Sequence, residues 1–529
     1  MITKKQIYFY NFSARNLPDF SKTDFDSMIV ENGLIKEIGK YGNSIADDNI
    51  LQCKKIDLKG AIIFPPFVDA HIHFLQTGIS LLGCQLNEVN SLKKLFALVS
   101  EESKIHNYVF GWNLQESLLK EKRIPSLKEL DKICPKKFVW LARADLHSAV
   151  INTVTKNWAN KLLQNSEFNT QINDECNLIS GEVYNFLSFK LLNEIPQNLK
   201  KKALKLAEEL CFKQGVGTVH ALEGNENTQD DVILTANFFK TSKLNAVIYH
   251  QSEDPTLATS NNWKQIGGCL LVDGSIGSKT AALNEDYVDT PGYRGNLYRQ
   301  TEDIIKLLKM AADNKLQLAM HAIGDKAIDI TASCYAWARD TYGNSYHPHR
   351  IEHFVLPSFK AIRNARLSNS FICVQPAFDY YWGGENGLYA QKLGKERALK
   401  CNPFKTLLNT GLILAGGSDS PVTPINPILG IHSLVNHKNP DEQIDLNTAL
   451  SIFISEPHKL TKESGFKGFL KKGFPADFVC LSRDPFRVSK SKIKKICPTA
   501  LYISGETVYK RNSLFQKLKG FINKLLNSN

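Results

Sequence analysis

The chain has 529 residues, 43% of them apolar, which is enough for one large core and at least one further domain. Its net charge of +12 is concentrated near the carboxyl terminus, where residues 488–529 carry nine Lys or Arg against one acid, and the near-neutral remainder lacks the basic stripes of a nucleic-acid-binding protein. No apolar run reaches the roughly 18 residues of an integral membrane helix, and the amino terminus lacks a signal-peptide-like apolar stretch. The 11 scattered cysteines show no CxxC spacing. We therefore expect a cytoplasmic protein with reduced thiols.

The first predicted elements are short strands. Residues 1–64 alternate apolar and polar positions in IYFYNF and SMIVENGLIKEIG, and residues 465–512 return to this style in GFLKKGFPADFVCLSRD and ALYISGETVYKR. We therefore predict a small composite β-sandwich formed by both chain termini, from residues 1–64 and 465–512.

Between these segments, buried strands alternate with helices such as 200–213 and 302–313. The candidate strands are 63–73, 138–143, 216–221, 245–250, 269–273, 316–321, 350–354, 371–375 and 412–417. This alternation predicts an α/β fold, a (β/α)8 TIM barrel over residues 65–464. Nine candidates compete for eight places, and the connection from His73 to Val216 is too long for one crossover. We therefore place 138–143 in an insertion after strand 1, at roughly 80–200.

Side chains that bind metals follow several of these strands. His71 and His73 end strand 1 and share one face, because side chains two apart on an extended chain point the same way. Such a pair alone is as often a surface or core feature as a ligand pair. Three further donors end strands 5, 6 and 8, namely His321, His353 and Asp419. Imidazole nitrogen and carboxylate oxygen suit zinc or another divalent transition metal, so we predict a metal site at the carboxyl-terminal mouth of the barrel.

Longer segments carry a family resemblance. In order and spacing, FVDAHIHF, LLVDGSIGSKTAAL, MHAIGDKAID, RIEHF, VQPAFD, LGKERA and GGSDSPVTPINP resemble amidohydrolase family 3, the YtcJ-like branch of the metal-dependent amidohydrolase superfamily. The likeness extends through GWNLQES and GFLKKGFPADFVCLSRDP to about residue 510. The resemblance implies a barrel with a composite β-sandwich, a divalent metal centre held by the five residues above, and hydrolysis of amide or related C–N bonds.

One position departs from the family pattern. Many members have a lysine four residues before the DGS aspartate, and this lysine becomes carboxylated and bridges two metals; counted from Asp273, that place is Cys269 here. Lys279 could substitute as a bridge and Cys269 could act as a soft ligand, but we expect Cys269 to be a small packed residue. Since a thiol cannot form a carbamate, we expect a metal content nearer one than two per chain.

Four other residues are predicted to contact substrate. His147 lies in a segment, ARADLHSAVIN, that resembles a conspicuous family block, and His220 and Gln375 end strands 2 and 7. Asp273 follows strand 4. For each, a packing role is the alternative.

These assignments predict a metal-dependent amidohydrolase that cleaves an amide or N-acyl bond of a small organic substrate. A metal lowers the pKa of its bound water toward about 7. We expect Asp419 to accept the water's proton and pass it to the departing nitrogen, and His353 either to hold a second metal or to hydrogen-bond the attacking water. The alternatives are hydrolytic deamination of a ring amidine and a metal-free scaffold of the same fold.

The last segment predicts a further contact. Apolar residues of 513–529 recur at helical spacing with the lysines largely off that face, which indicates a basic amphipathic helix. It would dock on its own protein or on a sister subunit in a homo-oligomer, and peripheral membrane contact is the alternative.

Overall fold

The structure is a computed structural model that describes residues 6–41, 53–106, 108–144, 146–166, 168, 170, 172–173, 176–224, 228–343, 348–461 and 467–511. In chain order its strands are β1 (Gln6–Asn16), β2 (Ser21–Lys22), β3 (Ser27–Glu31), β4 (Leu34–Gly39), β5 (Lys54–Phe64), β6 (Phe67–Ile72), β7 (Cys84–Gln85), β8 (Tyr108–Leu114), β9 (Phe138–Arg143), β10 (Ser148–Ile151), β11 (Leu178–Ser180), β12 (Val216–Glu223), β13 (Asn245–His250), β14 (Gln265–Leu271), β15 (Gln317–Ala322), β16 (Arg350–His353), β17 (Phe371–Val374), β18 (Ile413–Gly416), β19 (Phe478–Leu481), β20 (Pro498–Ile503) and β21 (Glu506–Lys510).

The α-helices are α1 (Phe74–Ser80), α2 (Leu92–Ile105), α3 (Leu127–Ile133), α4 (Thr153–Gln164), α5 (Gly181–Asn193), α6 (Gln197–Lys213), α7 (Gln229–Phe239), α8 (Thr256–Ser260), α9 (Thr301–Asp313), α10 (Asp325–Tyr342), α11 (Phe359–Leu367), α12 (Pro376–Trp382), α13 (Leu388–Leu393), α14 (Lys395–Leu399), α15 (Phe404–Asn409), α16 (Pro427–Val435), α17 (Leu446–Ile454) and α18 (Glu456–Leu460). Short 3₁₀ turns occur at Glu116–Leu118, Pro440–Glu442, Pro485–Arg487 and Lys490–Lys495. Within the described ranges, no helix is long and apolar enough to cross a bilayer. The predicted helix at 513–529 lies outside the described residues.

Eight parallel strands form the barrel, in the order β6, β12, β13, β14, β15, β16, β17 and β18. The predicted (β/α)8 fold is confirmed. The barrel closes at its carboxyl-terminal end, where Ile72 and Ser420 form a parallel bridge and the Asp419 amide donates to the His71 carbonyl at 2.8 Å. Closure therefore brings the segment after β18 directly against the histidines of β6.

Two predicted barrel strands differ most in extent from those observed. The expected strand 63–73 is divided at Pro65 and Pro66 into β5 and β6, because proline cannot donate to a strand ladder. The expected strand 269–273 begins earlier, and it contains a bulge between Gly267 and Leu270. Gly267 has a φ of 86°, and a Cβ there would lie 2.2 Å from the Ala319 carbonyl oxygen, so this close approach requires glycine.

Both termini contribute strands to one further β structure, as predicted for the composite β-sandwich. Its strand order is β21, β20, β19, β5, β1, β3 and β4, with β2 paired to β1, and all these strands belong to one hydrogen-bonded sheet rather than two separate ones. Its core includes Phe9, Phe478 and Tyr502, whose rings pack within 5.2 Å of one another.

The insertion after β6 has its own sheet, in the order β11, β10, β9, β8 and β7. The predicted strand 138–143 is β9 of this sheet. One face of the sheet has a core of its own, and the other joins the main core through residues such as Trp140 and Ile151. Residues that follow β9 and residues of α5 reach over the barrel mouth, where they line the cavity described below.

Candidate metal centre

Six possible metal donors meet at the carboxyl-terminal mouth of the barrel. His71 lies in β6 and His73 directly follows that strand. β15 and β16 supply His321 and His353. Asp419 follows β18, and the sixth donor is Cys269 of β14. The structure thus brings together all five predicted ligands and adds the cysteine that we expected to be a packing residue.

Two of these side chains depend on unusual backbone. His353 has a φ of 72° and Asp419 a φ of 56°. A non-glycine residue in this left-handed region costs about 1–3 kcal/mol and persists only where its surroundings hold it. At Asp419, the hydrogen bond from its amide to the His71 carbonyl oxygen helps to stabilise this conformation.

Asp419 faces the histidine pair through one oxygen. Its Oδ1 lies 3.1 Å from His71 Nε2 and 3.2 Å from His73 Nε2, while Oδ2 lies 4.0 Å from His353 Nδ1. Burial opposes ionisation of the carboxyl, yet His71 and His73 hold the pKa of Asp419 well below its usual range. The group is therefore an anion that can bind a cation.

The outer nitrogen of three histidines has a hydrogen-bond acceptor. His71 Nδ1 lies 2.6 Å from Glu352 Oε2, His353 Nδ1 lies 2.7 Å from Gln375 Oε1, and His321 Nε2 lies 3.1 Å from the Gly274 carbonyl oxygen. An acceptor at one nitrogen fixes the proton there and leaves the lone pair on the other. The remaining nitrogens, His71 Nε2, His353 Nε2 and His321 Nδ1, are thus left free to bind a metal.

The donor set fits a divalent transition metal. For metal–ligand bonds of about 2.0–2.1 Å, two donors of a tetrahedral zinc site lie about 3.4 Å apart. Asp419 Oδ1 lies 3.1 Å from His71 Nε2 and 3.2 Å from His73 Nε2, which is close to this donor-to-donor distance. Burial alone would lower the pKa of His73, but Cys269 and Asp419 raise it to about 10, so a metal would displace a proton there.

A buried ion pair supports the centre from below. Arg350 and Glu352 are fully buried in β16, and Arg350 Nη2 donates to Glu352 Oε2 at 2.8 Å and to the Ala70 carbonyl oxygen at 2.6 Å. The guanidinium also lies 4.7 Å from the centroid of the Tyr249 ring. This pair was not predicted, although two charged residues alternating within the short strand RIEHF were a signal for it.

Two predicted substrate contacts are placed elsewhere. His220 is fully buried, and Arg350 Nη1 lies 3.0 Å from its Nδ1, below the metal donors rather than on a cavity wall. Asp273 is also fully buried, and its oxygens accept from the amides of Ala282, Ile323 and Gly324. Both residues are buried, and neither is among the residues that line the cavity described below.

Of the three remaining candidates, one lines the cavity and two do not. Gln375 is buried and orients His353 as described above. Lys279, the possible substitute bridge, donates to Thr290 Oγ1 at 2.7 Å, and its ammonium lies 3.8 Å from Asp289, so it faces away from the centre. His147 does line the cavity, with its ring 5.9 Å from that of His321.

A cavity of about 1450 Å³ opens over the metal donors. It exceeds the roughly 300–1,000 Å³ of ordinary small-molecule pockets. Close to the donors its wall is apolar and aromatic, with Phe378 stacked 6.0 Å from the His353 ring and Trp382 4.8 Å from Phe378. Further out, the cations Arg143 and Arg299 are paired with Glu116 and Glu253. The cavity can take an organic molecule with a bulky apolar part.

A closed eight-stranded barrel with histidine and aspartate donors at its mouth defines a class of hydrolases, and the chain belongs to the amidohydrolase family, whose model matches residues 54–509. It is 24% identical to the putative amidohydrolase YtcJ of Bacillus subtilis over an alignment of 541 positions, which covers 96% of this chain and 100% of that protein. It is 19% identical to the N-substituted formamide deformylase of Arthrobacter pascens, over 97% of this chain and 99% of that enzyme. The crystal structure of an uncharacterized metal-dependent hydrolase from Pyrococcus horikoshii OT3 matches with a TM-score of 0.73 at 24% identity, covering 92% of this chain and 99% of that one.

These findings confirm the predicted family and fold, and they support a hydrolase.

Proposed function

We propose that the protein is a metal-dependent hydrolase that cleaves the C–N bond of an amide or N-acyl group in a small organic substrate. The observation that carries this proposal is the orientation of the histidines: Glu352, Gln375 and the Gly274 carbonyl each accept from an outer nitrogen, which leaves the inner nitrogens free to bind a metal. A metal-free scaffold has no need of such an arrangement.

In this proposal His71, His73 and Asp419 hold the catalytic cation, and Cys269, His321 and His353 lie beside the same site. A bound zinc or similar cation supplies hydroxide at neutral pH and polarises a carbonyl oxygen. The residues themselves must position the substrate and move one proton.

Asp419 is the proposed proton carrier. Its Oδ1 faces His71 and His73, and its Oδ2 is directed toward His353, so one oxygen remains free to take a proton from water. The same oxygen can return that proton to the departing nitrogen, because an amine leaves poorly unless it is protonated. His353 is held by Gln375 and stacked on Phe378. With one cation bound it would stabilise the tetrahedral oxyanion, and with two it would be a ligand of the second.

Two observations favour an amide over a ring amidine. The cavity is large and partly aromatic near the donors, which provides room for both an acyl group and an N-substituent. In addition, a relative similar over almost its full length is named for the removal of formyl groups from N-substituted formamides.

The test is a screen of N-acyl compounds, including N-substituted formamides and anilides, with separate detection of released amine and of ammonia. We expect amine release that stops after chelation and returns with added zinc. His73→Asn should lower turnover by about 100-fold or more, by analogy with the loss of a central catalytic group, whereas the exposed His106→Asn should leave it unchanged. Ammonia from ring amidines would establish the deaminase alternative, and no turnover by fully metallated protein would overturn the proposal.

A further inference from the structure

Cys269 occupies the middle of the donor cluster. Its Sγ lies 3.4 Å from His71 Nε2, 3.7 Å from His73 Nε2 and 3.9 Å from His353 Nε2. Resting on the proposed function, we propose that the Cys269 thiolate bridges two divalent cations. One cation is also held by His71, His73 and Asp419, and the other by His321 and His353. This replaces the single-metal centre, with Cys269 as a packing residue, that the sequence led us to expect.

The first set of donors has tetrahedral dimensions. With bonds of about 2.3 Å to sulfur and 2.0–2.1 Å to nitrogen, the edge between sulfur and nitrogen in a tetrahedral zinc site is about 3.6 Å. The observed distances from Cys269 Sγ to His71 and His73 are 3.4 and 3.7 Å. The Asp419 distances to the same two histidines also fit, so four measured donor-to-donor distances match a tetrahedral cation site.

The second set shares the same sulfur. The donor atoms of Cys269, His321 and His353 all lie within 4.8 Å of one another, and the Sγ to His353 distance is 3.9 Å. The acceptors Gly274 and Gln375 leave an inner nitrogen free on each histidine. Three protein donors around a cation leave a coordination position for water or substrate, as in catalytic zinc sites.

Charge favours the thiolate bridge. Two adjacent dications need anions between or beside them, and a thiolate contributes one negative charge just where a carboxylated lysine would. With Asp419, the cluster then offers two anions to the pair of cations. Lys279 is directed elsewhere and cannot supply this charge.

A second cysteine near His71 provides a comparison. The possible donor atoms of Cys373, His71 and Glu352 also lie within 4.8 Å of one another. However, Arg350 donates to Glu352, and Cys373 Sγ donates to the Ala70 carbonyl oxygen at 3.5 Å. The guanidinium already supplies the positive charge there, so Cys373 is a matched control cysteine.

The backbone of β14 directs Cys269 to this position. The bulge between Gly267 and Leu270 interrupts the regular ladder with β15, and the Cys269 amide donates to Gln251 Oε1 at 3.2 Å. Bulges re-aim side chains next to active sites. As a result the thiol reaches the cavity surface among the histidines.

The experiment loads metal-free protein with Co²⁺ and measures bound cobalt per chain together with the near-ultraviolet absorption spectrum. We expect two cobalt ions per chain, a sulfur-to-cobalt charge-transfer band, and magnetic coupling between the ions by electron paramagnetic resonance. Cys269→Ser should lose the band and the coupling, and Cys373→Ser should keep both. One cobalt ion without the band would overturn the bridge but leave the proposed function standing, whereas no bound metal would overturn both.

A measurement on the unaltered chain covers the case in which Cys269→Ser fails to fold. Metal-free and zinc-loaded protein are treated with iodoacetamide, and the labelled peptides are identified by mass spectrometry. Zinc should protect Cys269, while the exposed Cys176 is labelled in both samples. Equal labelling of Cys269 with and without zinc would contradict thiolate ligation.

Discussion

The ion pair beneath the metal donors gives a sharp prediction. Glu352 Oε2 accepts from His71 Nδ1 at 2.6 Å and from Arg350 Nη2 at 2.8 Å, and both charged side chains are fully buried. In Glu352→Gln, an amide oxygen at the Oε2 position turns the amide nitrogen toward Arg350 Nε, which is also a donor, and the guanidinium loses its counter-charge. Removing one partner of a buried ion pair costs about 3–5 kcal/mol of stability. Loss of an anionic acceptor behind a metal-binding histidine lowers metal affinity by about 10–100-fold.

Competition with a chromophoric chelator measures the zinc dissociation constant of wild type and variant, and thermal unfolding of the metal-free proteins measures stability. Glu208→Gln is the matched control, because Glu208 is also a buried carboxylate, paired with Lys205 and remote from the centre. We expect the control to lose stability and keep its zinc affinity. Wild-type zinc affinity in a folded Glu352→Gln protein would refute the claim that this carboxylate orients His71.

Three further predictions follow from other parts of the chain. Asp419→Asn should remove about 2–4 kcal/mol of transition-state stabilisation, and near-native turnover of a substrate would contradict its role as proton carrier. Burial raises the pKa of Glu223 to about 8, so its contribution to stability is complete at low pH and is lost as pH rises from about 4.5 through 8, by up to about 1.4 kcal/mol per pH unit. Glu223→Gln keeps an acceptor for the Phe74 amide and should flatten this dependence, and an unchanged slope in thermal midpoints would count against it. Deleting residues 513–529 should preserve metal content and turnover while lowering stability or changing the oligomeric state. An unchanged midpoint and mass with lost sedimentation on anionic vesicles would instead support membrane contact.

Periodicity and strand-end polarity predicted the barrel and the convergence of its histidines. Each barrel strand is a short apolar run, and a parallel barrel places all carboxyl-terminal ends at one mouth. His71, His321 and Asp419 therefore come together for reasons that are readable in the sequence. The helices Gln197–Lys213 and Thr301–Asp313 likewise match the predicted spans 200–213 and 302–313.

Side-chain direction was beyond the reach of the sequence. His220 and Asp273 lie at or near strand ends, but one accepts from Arg350 and the other from three backbone amides. The direction of Cys269 could not be predicted, because the glycine bulge that turns it inward depends on the close approach of Ala319, a contact between distant parts of the chain. The position of a residue along a strand predicts at which end of the barrel it lies. Whether its side chain faces the cavity depends on packing between distant parts of the chain.

His71, His73 and Asp419 are proposed to hold a catalytic cation at the barrel mouth. Crystals grown with zinc, measured on both sides of the zinc absorption edge, test it most directly through the anomalous difference map. The strongest peak should lie between His71 Nε2, His73 Nε2 and Asp419 Oδ1. A fully loaded protein with its strongest peak elsewhere would contradict the claim.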